Sequence, residues 1–151
     1  LVNHRRDVPD SILARLPKNG GIVMVTFVQA FVSAERRVAE EISDSAVAAL
    51  TKGVTDPAER QRIQDEYETA HPLPRATLSM VADHIEHGRN IAGVDHVGLG
   101  SDFDGIAAVP DGLEDVSLLP RLDEALASRG YGDSVIDKVF AKNWLRVLDG
   151  R

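Results

Sequence analysis

The sequence predicts an α/β fold in which parallel strands are covered by helices, and three stretches predict it. The run Ile22-Val23-Met24-Val25-Thr26-Phe27-Val28 is apolar, rich in β-branched residues and without polar alternation, the pattern of a strand buried on both faces. A second apolar run, Val97 to Leu99, is short and followed by glycine. Helical periodicity fills the space between them, so strand, elaborated helical crossover and strand form a βαβ unit, which favours parallel pairing.

Each element has its own signal. Leu1 to Asp7 is polar and basic, with His4-Arg5-Arg6 in succession. Asp7-Val8-Pro9-Asp10 reads as a helix start, with Asp7 as the cap and Pro9 early in the first turn. Asp10 to Pro17 places Ile12, Leu13 and Leu16 on one face, and Lys18-Asn19-Gly20-Gly21 ends that helix through a glycine free to turn left-handed. From Ser33 to about Gln64 the chain is charged and alanine-rich. It predicts a helix over Ala34 to Leu50, a break at Gly53 to Pro57, and a second helix over Ala58 to Glu68, with the charge runs as solvated faces. Ala70-His71-Pro72-Leu73-Pro74 is a stiff connector. Thr77 caps the next helix, where Leu78, Val81, Ala82, Ile85 and Ile91 recur at helical spacing before Gly93. Beyond the second strand come a loop over Ala107 to Val116 and helices over Leu118 to Ser128 and Asp133 to Leu148. The last carries Val135, Ile136, Val139, Phe140 and Leu145 as its apolar stripe and Trp144 as a helix-packing anchor.

Composition narrows the function. With 151 residues and 43% hydrophobic content the chain is long enough for one domain with a core. Acids outnumber bases 24 to 17, for a net charge of -7, and no basic stripe runs through the sequence, so no nucleic-acid partner is expected. Cysteine is absent, which excludes disulfides and thiolate sites. No run reaches the length of a membrane span and no signal-peptide pattern opens the chain. Its first residue is Leu1, so a processed, a trimmed and a partial chain all stay open, and so does the compartment, the cytoplasm being slightly favoured.

The stretch that carries chemistry is Asp95-His96-Val97-Gly98-Leu99-Gly100-Ser101-Asp102-Phe103-Asp104-Gly105-Ile106. It is a short strand whose end delivers two carboxylates, and in parallel α/β architectures the C-terminal strand end is where reactive side chains collect. A dinucleotide loop is excluded because Phe103 stands where the third glycine belongs and two acids would repel a pyrophosphate. A calcium loop fails because the third ligand position falls on Ile106 and the glycine comes too early. The plain alternative is a turn, for which Asp and Gly are ordinary residues. His84 and His87 share a helix face but lack a third ligand, and the expectation is a structural role. His96 precedes the strand core, while His4 and His71 fall in loops.

Asp7-Val8-Pro9-Asp10, Asn19-Gly20-Gly21-Ile22-Val23-Met24-Val25, Leu78-Ser79 with Val81-Ala82-Asp83-His84-Ile85, Asp95 to Gly105 and Asn143-Trp144-Leu145-Arg146-Val147 together resemble the membrane dipeptidase (renal dipeptidase, peptidase M19) family, over its C-terminal part only. Members of that family are longer (β/α)8 TIM barrels. They hold two zinc ions through a His-x-Asp pair, a bridging Glu and two further His.

The resemblance implies that residues 1–151 are a single partial domain, the C-terminal portion of such a barrel, with about two parallel strands and surrounding helices. None of the family's metal ligands can be placed on this chain, so the expectation is two zinc ions in the parent enzyme and none bound here alone. Asp102 matches the aspartate that handles protons in catalysis, and Arg6 the arginine that binds the substrate carboxylate, with Arg5 one residue away as the alternative. The implied function is zinc-dependent hydrolysis of dipeptides by a metal-bridging hydroxide, with this chain inactive by itself. The implied partners are a dipeptide substrate, the missing N-terminal part of the barrel and a second copy in a homo-oligomer. Two rivals stand beside it: a non-catalytic remnant or binding module of the same fold, and a nucleotide-sugar transferase using Asp102-Phe103-Asp104 as a metal motif. The latter lacks a basic phosphate-cradling loop.

Overall fold

The computed structural model describes residues 1–150. Two helical turns, α1 (Asp10–Leu13) and α2 (Leu16–Asn19), lead into strand β1 (Val23–Thr26), the short helix α3 (Gln29–Val32) and a helical hairpin of α4 (Ala34–Leu50) and α5 (Pro57–Ala70). Helix α6 (Leu78–Ala92) and a 3-10 turn, Val94–His96, return the chain to strand β2 (Val97–Ser101). A second 3-10 turn, Val116–Leu118, then α7 (Leu119–Ser128), α8 (Asp133–Asp137), a π-helical segment Lys138–Lys142 and α9 (Asn143–Leu148) complete the described residues. Among them, no helix is long and apolar enough to cross a membrane.

The expected βαβ unit is present. β1 and β2 pair in parallel, with Val23 opposite Val97, Met24 opposite Gly98, Val25 opposite Leu99 and Thr26 opposite Ser101. Gly100 is skipped in that register, so it forms a bulge. Because side chains alternate along a strand, Val23 and Val97 face α6, where they pack on Gly88, while Met24 faces the other way. Val97 is fully buried with Val81, Ile85, Phe27, Leu122 and Val139, whereas Met24 is 38% exposed. Burial of β1 on both faces is therefore not what the chain achieves by itself: Met24 is exposed and Val23, Val25 and Thr26 are only half-buried. On the open face Met24 lies across β2, and the strand tolerates this because Gly98 and Gly100 carry no side chain. A Cβ on Gly100 would sit 3.1 Å from the Met24 Cβ.

Several local expectations hold in detail. Ala34–Leu50 is one helix, capped by the Ser33 hydroxyl accepting from the Arg36 N–H. Thr77 caps α6 by accepting from Met80 N–H, and Gly20 takes the left-handed conformation that ends α2. Others are corrected. Pro9, not Asp7, is the N-cap residue of α1, without a side-chain cap, and Asp7 instead closes a turn by donating its N–H to the His4 carbonyl, 2.9 Å. The helix expected over Asp10 to Pro17 is split, because Pro17 suits a new first turn.

Trp144 is 39% exposed and does not anchor the last helix. Successive helical residues turn by about 100°, so with Val139 and Asn143 facing inward Trp144 and Leu145 swing out. The anchors are Asn143 and Arg146. The Asn143 amide, 3% exposed, donates to the carbonyls of Val94 (2.6 Å) and Val97 (2.8 Å), and the Arg146 guanidinium donates to those of Gly20 and Asp95, both 2.8 Å. Together they tie the C-terminal helix to the start of β2.

Candidate functional site

β1 and β2 leave the sheet at the same end, locked together where the Phe27 N–H donates to the Ser101 carbonyl, 2.9 Å. β2 leaves under strain. After the Gly100 bulge, Ser101 (φ 23°) and Asp102 (φ 73°) both take positive φ, and they are the two non-glycine residues that do so among those described. Such conformations cost about 1 kcal/mol or more apiece and persist where the surroundings hold them.

What holds them is the turn that follows. Gly105 donates its N–H to the Asp102 carbonyl, 2.9 Å, and Phe103 points inward, its ring edge-on to the fully buried Phe27 ring at 5.4 Å and 81°. With Phe103 anchored, Asp102 and Asp104 are turned to solvent. The Asp102 carboxylate lies over Gly105, where any Cβ would overlap its Oδ1. The Asp-Gly turn and the strand-end carboxylate are thus one feature.

At the neighbouring exit, β1 passes through Phe27 into α3. The Arg6 guanidinium carbon lies over the Phe31 ring, 5.0 Å from its centroid, and the His4 ring packs on the same Phe31 at 4.5 Å, tilted by 31°. The Arg6 N–H donates to His4 Nδ1 at 3.2 Å. Arg5 and Arg6 are both exposed, but Arg6 and not Arg5 borders the cavity of about 340 Å³ beside β1, together with His4, Asp7, Thr26 and Phe31. In that cavity wall the Asp7 carboxyl has one buried oxygen without a partner, and burial pushes its pKa up. Burial pushes the His84 imidazole down, and its Nε2 is likewise without a partner.

A metal does not fit these residues. His84 and His87 line the same cavity, but His87 Nε2 pairs with Asp10 Oδ1 at 2.7 Å, and among the described residues no three His, Asp or Glu side chains are grouped to hold an ion. His96 Nδ1 lies 2.7 Å from the Gly21 carbonyl, at the opposite end of the sheet from Asp102. His71 stacks on Tyr67 at the end of α5.

Beyond Asp102, a cavity of about 670 Å³ opens between Phe103, Ile106, Val109, Val116 and Arg75. Its wall is fixed to the start of α6: Arg75 pairs with Asp111 and donates to the Val109 carbonyl at 3.1 Å, and Asp111 exchanges backbone hydrogen bonds with Ala76 and Leu78. Sequence reasoning missed this staple and the Phe31 platform, since both join residues far apart in the chain. The only local hint was an aromatic residue just past the first strand.

Comparison with known proteins settles the family. The model for the membrane dipeptidases (peptidase family M19) matches residues 1–150. The chain belongs to that family. Among curated relatives it is 34% identical over 148 residues to Dipeptidase tcpJ of Claviceps purpurea (strain 20.1), covering 98% of this chain and 26% of the relative. It is 32% identical over 149 residues to Dipeptidase verJ of Clonostachys rogersoniana, covering 99% and 28%. The chain thus spans about a quarter of the length of these relatives.

Among solved structures it is similar to the probable dipeptidase PvdM from Pseudomonas aeruginosa, with a TM-score of 0.76, 25% identity and coverage of 97% of this chain and 41% of that one. It is also similar to a metallo peptidase from Rhodobacter sphaeroides liganded with a phosphinate mimic of the dipeptide L-Ala-D-Ala, with a TM-score of 0.65, 26% identity and coverage of 95% and 31%. The resemblance read from the motifs is the family found.

Proposed function

We propose that residues 1–151 are the C-terminal portion of a (β/α)8-barrel dipeptidase, with β1 and β2 as two of its strands. Asp102 is then its proton-transfer carboxylate and Arg6 its grip on the free carboxylate of a dipeptide. Two zinc ions, held by residues outside this chain, supply the Lewis acidity of the parent enzyme. Since the described residues do not fit a metal centre, what this chain contributes is derived from its own side chains.

A carboxylate at the rim of the strand ends can take the proton of the attacking water and return it to the leaving amine, the work of one general base then acid. The turn over Gly105 keeps that carboxylate aimed outward. A guanidinium presents a planar fork to the substrate carboxylate, which an ammonium cannot do. One observation carries this reading: within a chain of this family, Asp102 emerges at the C-terminal end of β2, directly beside the exit of β1.

The test is made on the full-length enzyme carrying these residues. Asp102→Asn is expected to lower kcat by about 100-fold or more with little change in KM. Arg6→Met is expected to raise KM by about 10-fold or more. The 151-residue chain alone is expected to bind no stoichiometric zinc and to cleave no dipeptide. Two zinc ions per isolated chain would overturn the assignment of the ligands to another segment, and wild-type kinetics in both variants would favour the non-catalytic binding module.

A further inference from the structure

We propose that Phe31 is a positioning residue for substrate binding, a rigid aromatic platform that, with His4 on the same ring, holds the Arg6 guanidinium edge-on to an incoming carboxylate. This rests on the reading of Arg6 as the substrate arginine and adds what makes that arginine competent.

The need for a platform follows from where Arg6 sits. Leu1 to Asp7 contains no helix or strand, and an arginine in such a segment loses considerable rotamer freedom when it grips a ligand. The surroundings of Phe31 are the opposite. Of the four residues of α3, Gln29, Ala30 and Val32 are 3%, 6% and 5% exposed, so Phe31 is the one side chain this turn presents. The turn is fixed from both directions: Phe31 N–H donates to the Val28 carbonyl at 2.9 Å, and the Gln29 side-chain oxygen accepts from the Ala76 N–H at 2.8 Å. A ring on so fixed a turn is a stationary surface.

Stacking suits the task. A guanidinium lying over an aromatic face is attracted by the ring quadrupole while its N–H donors, which lie in its own plane, remain free at the edge. His4 completes the arrangement from the chain side, its ring against Phe31 and its Nδ1 accepting the Arg6 backbone N–H. The platform itself is apolar and offers the substrate no hydrogen bond, so selection of a charged carboxylate over an amide rests on the Arg6 guanidinium alone.

The experiment uses two preparations. In the full-length enzyme, Phe31→Leu is expected to raise KM for a dipeptide about three- to tenfold with kcat within about twofold, and Phe31→Trp, which restores a ring face, to recover most of the loss. The C-terminal amide of the same dipeptide is expected to be an equally poor substrate for wild type and Phe31→Leu. In the 151-residue chain, ring-current displacement of the Arg6 side-chain proton resonances is expected in the wild type and absent in Phe31→Leu, with circular dichroism confirming that both are folded.

Unchanged KM in Phe31→Leu while Arg6→Met raises it overturns the platform and leaves the reading of Arg6 standing. Unchanged KM in Arg6→Met overturns that reading and the platform with it. Arg6 resonances that do not respond to Phe31→Leu overturn the platform on the isolated chain. A loss that Phe31→Trp fails to recover does the same for the enzyme.

Discussion

The two faces of the β1–β2 sheet are built to different standards. Val97 is fully buried on the face that α6 covers, among Val81, Ile85, Leu122 and Leu126. Met24, one residue along the partner strand and on the opposite face, keeps 38% of its surface. The covered face is where this chain stabilises itself, while the open face and the strand exits are the surfaces it leaves uncovered. In the barrel reading these meet the rest of the barrel and the substrate. The two kinds of surface should therefore respond differently to mutation.

The largest difference is expected between Ile85→Ala and Met24→Ala. Ile85 is fully buried in the core, so its truncation removes transfer energy and leaves a cavity, for a loss of about 3 kcal/mol. Met24 already faces outward, and its loss should cost less than about 1 kcal/mol. Urea unfolding of both variants of the chain checks this, and equal losses would erase the distinction between the faces.

The next effect lies at the edge of the covered face. Asn143→Ala leaves the Val94 and Val97 carbonyls without their donor inside the protein, which should cost about 2 kcal/mol. Trp144→Ala, its exposed neighbour, is expected to cost less despite removing far more atoms. Thermal unfolding that ranks Trp144 above Asn143 would restore the tryptophan as the anchor.

At the open end the expected effect is on activity rather than stability. Gly105 has no positive φ, so Gly105→Ala strains no backbone, but its methyl must displace the Asp102 carboxylate. In the full-length enzyme kcat should fall about tenfold, near 1.4 kcal/mol in the barrier, with the unfolding midpoint nearly unchanged. Full activity in that variant would show that the present seat of the Asp102 carboxylate is irrelevant to catalysis.

This division also explains what could be read from the sequence. Features set by a few neighbouring residues were legible: the β-branched run of β1, the Thr77 cap, the full extent of α4, and a left-handed glycine, Gly20, at the end of α2. The strand-end position of Asp102 was legible as well, because an apolar run closed by glycines and acids is a local pattern. What was not legible depends on a partner distant in the chain. The bulge at Gly100 exists only relative to the register of β1. The Phe31 platform joins residues 4, 6 and 31, and the Arg75 staple joins 75 to 109 and 111. The half-covered state of β1 was misread for the same reason. Its composition reports the burial it is suited to, whereas its exposure reports which polypeptide is there to cover it.

The smallest expected effect lies at the end of the sheet away from Asp102, and its pH dependence sharpens the contrast between a structural carboxylate and the one proposed to move protons. Asp95 accepts a hydrogen bond from Lys138 at 2.6 Å, and chiefly this bond holds its carboxyl below the usual 3.8, with burial opposing it. The folded state therefore binds fewer protons than the unfolded one across this range. The contribution is fully present above the unfolded value and is lost as pH falls through the depressed folded one. Because the pair is largely exposed, its worth is about 0.5 kcal/mol. Wild type and Asp95→Asn should thus differ by that small amount at neutral pH, and the gap should narrow between about pH 5 and about pH 3 as the unfolded carboxyl becomes protonated. A gap that stayed constant over that interval would mean that the Asp95 side chain acts through geometry and not through its charge.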